Sequence, residues 1–104
     1  MKEKKYKVIV SDRAKAMLSA HIRFLKKVNK EAAAAKKKEI MSAMRSLSEM
    51  PERFPFFNEE YIKRNTYHKM FVAKWYIILY QIKDGIVYID YIIDCRQDYS
   101  WIIH

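Results

Sequence analysis

The run Trp75-Tyr76-Ile77-Ile78-Leu79-Tyr80 is apolar at every position. A strand sends successive side chains to opposite faces, so a run with no polar face must lie inside a sheet that is covered on both sides. The rest of the chain therefore has to supply neighbouring strands and two covering layers.

Strands come from the same region. Residues 66–72 and 87–93 are as dense in β-branched and aromatic residues as the central run, and such residues suit a pleated, half-buried surface. Short connections at Ala73-Lys74 and at Lys83-Asp84-Gly85-Ile86 join the three runs. Asp-Gly favours a two-residue turn because both positions tolerate positive φ. The expectation is an antiparallel meander with residues 75–82 as its middle strand. A further short strand, Tyr6-Lys7-Val8-Ile9-Val10, opens the chain.

Between them lie two helices. From Asp12 to Val28 the apolar residues Ala14, Met17, Leu18, Ile22, Leu25 and Val28 recur every three or four positions, which gives one apolar face. Ser11 or Asp12 can cap the start. A break at Asn29-Lys30 leads into a second helix over about 31–49, with Ala33, Ile40, Met44 and Leu47 on one face. His21 falls beside the first apolar stripe, where packing is its expected role. Pro51 and Pro55 end the helical pattern by removing amide donors and restricting the residues before them. Residues 50–62 then form a loop anchored by Phe54, Phe56 and Phe57. Trp75, Tyr80 and Tyr91 are read as core.

A chain of 104 residues suits one domain spanning 1–104. Cys95 is the single cysteine, which excludes an internal disulfide and any zinc site built on several thiolates, and fits a reducing cytoplasm. The basic start Met1-Lys2-Glu3-Lys4-Lys5 runs straight into the first strand, so neither a signal peptide nor a membrane span is expected. The formal charge is +9, from 21 Lys and Arg against 12 Asp and Glu. That field draws polyanions or acidic proteins over about 8–10 Å. The triplet Lys36-Lys37-Lys38, with Lys26, Lys27 and Lys30, makes the helical pair strongly basic. It is either a solvated face or a contact for RNA or DNA phosphates. No glycine-rich phosphate loop, His-x-x-x-His pair or serine elbow occurs, so neither a cofactor nor a metal is expected.

The order strand, two helices, proline loop, three-strand meander and polar tail resembles the RelE/ParE toxin superfamily over nearly the whole chain. Tyr67-His68-Lys69-Met70-Phe71-Val72 is similar to that family's second strand, Tyr76-Ile77-Ile78-Leu79-Tyr80-Gln81-Ile82 to its third, and Asp94-Cys95-Arg96-Gln97-Asp98-Tyr99 to its closing segment. The resemblance implies an α+β fold, β-α-α-β-β-β, with a helical hairpin packed on a small curved, antiparallel-rich sheet and a basic groove on the other side. It implies the toxin of a type II toxin–antitoxin system, a class that includes plasmid-stabilisation modules, together with a cognate antitoxin, and the excess positive charge suggests that the antitoxin's binding segment is acidic.

Within the superfamily many toxins cleave messenger RNA in the ribosomal decoding site, while the ParE branch poisons DNA gyrase. Metal-independent RNA cleavage needs a base for the 2′-hydroxyl, an acid for the leaving oxygen and cations for the phosphorane. By resemblance Arg96 is placed to neutralise a phosphate, His68 and Lys69 to reach one, and Tyr99 to act near the groove, with the terminal His104 a further imidazole. The alternatives for these residues are an Arg96 paired with Asp94 or Asp98 and a plain surface role for His68 and Lys69. The chain departs from the ribonuclease branch at Ile77, where those toxins carry an arginine after the first tyrosine. The leading reading is a ribosome-dependent endoribonuclease; the alternatives are a non-enzymatic gyrase inhibitor and a degenerate toxin that keeps only antitoxin binding.

Overall fold

The computed structural model describes residues 5–59 and 62–95. Strand β1 (Lys7–Val10) leads into helices α1 (Asp12–Val28) and α2 (Lys30–Ser46). A short 3-10 turn (Pro51–Arg53) then precedes strands β2 (His68–Val72), β3 (Tyr76–Lys83) and β4 (Ile86–Asp94).

Local chemistry sets the helix limits. Ser11, the first of the two candidate caps, accepts the Ala14 amide on its Oγ at 3.0 Å, which satisfies one of the orphan donors of the first turn. Asn29 closes one helix and opens the next. Its amide donates to the Leu25 carbonyl at 2.9 Å, and its Oδ1 accepts the Ala32 amide at 3.0 Å. One extended residue therefore makes the hairpin, which forces α1 and α2 together. Helix α2 stops at Ser46, three residues short of the periodicity's expectation. There the chain is drawn to β1, where Tyr6 donates its amide to the Ser48 carbonyl at 2.8 Å and Lys5 bridges to Glu49.

The four strands form one sheet in the order β1-β4-β3-β2. Strands β2, β3 and β4 are the expected antiparallel meander, and β1 lies parallel to β4. At the β3–β4 turn Asp84 and Gly85 both have positive φ, 51° and 76°, as the dipeptide suggested. The β2–β3 connection is less comfortable, because Ala73 and Lys74 are left-handed without glycine, at 53° and 71°. Each such residue costs about 1–2 kcal/mol. Lys36 on α2 helps hold this turn by donating from Nζ to the Ala73 carbonyl at 3.3 Å.

Strand β3 is covered on both faces, as its apolar run requires. On the helix side Tyr76, Ile78 and Tyr80 join Ala14, Ile40, Met44, Leu47, Val87, Ile89 and Ile92 in the main core. On the other side Ile77 and Leu79 pack with Ile93 and with Phe57 from the proline loop. His21 is buried, with its Nε2 3.1 Å from the Ile92 carbonyl, and so ties α1 to the end of β4. Of the three aromatics assigned to the core, Tyr80 is fully buried and donates its hydroxyl to the Pro51 carbonyl at 2.7 Å. Tyr91 is half-buried. Trp75 is a correction: it occupies the strained β2–β3 turn instead of strand β3 and is 43% exposed.

Candidate functional site

The proline loop crosses only part of the sheet's outer face. Its Phe57 amide donates to the Tyr67 carbonyl at 2.6 Å, and the Lys69 amide donates to the Pro55 carbonyl at 2.9 Å. These bonds cap the outer edge of β2 and leave the half nearest the β3–β4 turn open. A depression of about 270 Å³ lies there, lined by Gln81, Lys83, Tyr88 and Asp90.

A β-bulge organises this face. Leu79 pairs with Tyr91 and Tyr80 pairs with Ile89, so Asp90 is the extra residue of β4, and bulges of this kind re-aim a side chain. Asp90 Oδ2 accepts the Tyr67 hydroxyl and the Gln81 side-chain amide, each at 2.9 Å. Its backbone carbonyl accepts the Ser11 hydroxyl at 3.3 Å. Beside it Tyr91 meets Tyr67 edge-on at 5.8 Å between ring centroids, and the Arg13 guanidinium sits 4.3 Å over the Tyr91 ring. Tyr67, just before β2, and Gln81 of β3 thus meet on one carboxylate of β4.

Burial, and then the hydrogen bond to Asp90, push the Tyr67 phenol up to about 12. At neutral pH it is a fixed donor and not a base. The folded value lies above the unfolded value of 10.0, so the folded state holds the proton more tightly between the two. The stability this contributes is fully present below pH 10 and is lost as pH rises through about 12. Tyr67→Phe should flatten that alkaline loss, as measured by thermal melts between pH 9 and 12.

The four candidate site residues fall in different places. Lys69 lies on the outer face, its ammonium 5.8 Å from the Phe57 ring centroid and 5.9 Å from that of Phe71. His68 points the other way and is buried. Its Nδ1 is 2.8 Å from the Phe54 carbonyl, and its ring is stacked between Phe56 at 4.2 Å and Tyr80 at 5.3 Å. His68 and Lys69 are adjacent in a strand, so one cannot join the other on a single face. Arg96 and Tyr99 lie outside the described residues, as does His104. Burial, and then Asp94 beside it, raise the Cys95 thiol, which argues against a reactive thiolate. Among the described residues no group of three His, Cys, Asp or Glu side chains could hold a metal ion, and no helix is long and apolar enough to cross a membrane.

Asp90, Tyr67, Gln81 and Arg13 had not been singled out from the sequence. One signal was available: Asp90 is a lone carboxylate inside the otherwise apolar or aromatic run Val87-Tyr88-Ile89-Asp90-Tyr91-Ile92-Ile93.

Residues 8–99 match the model of the ParE toxin of the type II toxin–antitoxin system parDE. The chain belongs to the ParE toxin family. A solved structure described as the chromosomal ParDE TA system from P. aeruginosa shares the fold at 14% identity, with a TM-score of 0.71 over 86% of this chain and 96% of that one. No curated protein matches the sequence. The β-α-α-β-β-β layout with a hairpin on a mixed sheet is thus the ParE layout, and the chain is a toxin of a type II toxin–antitoxin system.

Proposed function

We propose that this ParE-family toxin arrests growth by binding its target, DNA gyrase, and not by cutting RNA. One observation carries the reading. The two imidazoles among the described residues, His21 and His68, are both buried with a ring nitrogen against a backbone carbonyl. Neither is placed to exchange a proton with a substrate on the open face. Ile77 agrees with this, since the position that holds an arginine in the ribonuclease branch is 1% exposed and packed under Phe57. Tyr67, held protonated, supplies no base either.

The competing reading, ribosome-dependent cleavage, is favoured by Lys69 on the outer face, together with Arg96 and Tyr99. Under either reading a cognate antitoxin neutralises the toxin. The +9 charge suits an acidic, amphipathic antitoxin segment by electrostatic complementarity. The test is a supercoiling assay with purified gyrase and relaxed plasmid. Inhibition by the toxin, relieved by antitoxin, is the expected result. Full gyrase activity alongside cleavage of ribosome-bound message would overturn the reading.

A further inference from the structure

The chain's charge is not spread evenly. Residues 12–46, the helical hairpin, hold ten Lys and Arg against three Asp and Glu, so +7 of the total +9 sits on about a third of the chain. The sheet and loops share the remaining +2. Sequence alone leaves two meanings for such a run, a solvated face or a contact surface. The fold brings cations of both helices to one place. Arg23 and Lys26 on α1 and Lys37 on α2 line a depression of about 250 Å³ floored by Leu18, Ser19 and Ile22. All three cations are exposed. Among the described residues no carboxylate lies within ion-pair distance of them, and the ion pair Lys5–Glu49 is on the β1 side.

We infer that this groove binds the phosphate backbone of a nucleic acid, with Arg23, Lys26 and Lys37 each neutralising a phosphate. Two features favour a polyanion over an acidic protein here. The depression is lined by cations of both helices, and the exposed large apolar residues of the hairpin, Phe24, Val28 and Met41, are not among its lining. Further cations, Lys27, Lys30 and Lys38, are also exposed. Each helix of 17 residues extends about 25 Å, so a duplex laid along the hairpin presents many phosphates to it, one charge per ~1.7 Å of axis. Arginine adds a planar fork suited to phosphate, and the lysines act as point charges. This contact is separate from the gyrase reading and stands or falls without it.

The experiment measures binding of the full chain to a labelled DNA duplex and to a labelled RNA hairpin between 50 and 200 mM salt. Wild type is compared with Arg23→Gln/Lys26→Gln/Lys37→Gln and with a control off the hairpin, Lys5→Gln/Lys7→Gln/Lys63→Gln. Counterion release gives a slope of about −0.9 per phosphate neutralised on B-form DNA, so the groove variant should flatten log K against log salt by about 2.7 on DNA. The control should keep most of the wild-type slope. A flattened slope on the duplex, on the RNA or on both supports the inference and identifies the source of the phosphates. An unchanged slope in the groove variant overturns it. So does binding of oligoglutamate, lost in the groove variant, when neither nucleic acid binds. Circular dichroism of each variant confirms that these exposed substitutions leave the fold intact.

Discussion

Ile77→Arg is expected to unfold the protein instead of restoring a nuclease. Ile77 stands on β3 opposite Ile93 of β4 and Phe71 of β2, and it packs in a closed cluster with Phe57 and Leu79. A guanidinium there would be stripped of water with no carboxylate in the cluster to meet it. The penalty is on the order of 4 kcal/mol or more, against a total stability of about 5–15 kcal/mol for a domain of this kind. Ile77→Val, which removes one methyl group, should lose only about 1 kcal/mol. Urea titrations followed by circular dichroism compare the two directly. An Ile77→Arg protein within 1 kcal/mol of wild type would mean that the loop does not seal this face.

His68→Ala is the second large effect. It removes a buried ring from between Phe56 and Tyr80 and leaves the Phe54 carbonyl without its partner. Cavity and lost hydrogen bond together amount to about 3 kcal/mol. His68→Phe keeps the stacking and loses only the bond, about 1–2 kcal/mol, and it abolishes any proton transfer by the ring. If His68 serves packing, growth arrest should track stability: weakened in His68→Ala and near normal in His68→Phe. Loss of arrest in a well-folded His68→Phe would assign the imidazole a chemical role.

The elements built from local pattern were legible in the sequence. Helix α1 begins and ends where its periodicity and its Ser11 cap place it, and the Asp84-Gly85 turn marks the β3–β4 hairpin. The two-sided apolar run of β3 announced a sheet with two covers, and Phe57 supplies the second one. What failed was non-local. Nothing in Lys7–Val10 says that this strand lies parallel to β4, because pairing partners are set by tertiary packing and not by local propensity. Trp75 looked like strand core because aromatic residues suit strands, yet the hairpin turn claimed it. His68 looked like a surface group until alternation fixed its direction, since register decides which neighbour of a His-Lys pair goes inward. The bulge at Asp90 was hidden for the same reason. It appears only when β3 and β4 are aligned and one residue is left over.

If the toxin acts by binding and not by cleavage, growth arrest originates at gyrase and the messages stay whole. Inducing the chain without its antitoxin, while mapping messenger RNA ends and assaying plasmid supercoiling in the same cells, tests it most directly. Growth arrest with relaxed plasmid and gyrase-linked DNA breaks is the expected result, while messages keep their ordinary ends. In-frame messenger RNA cuts with normal supercoiling would contradict it, and their disappearance in Arg96→Ala would place the chemistry on the closing segment.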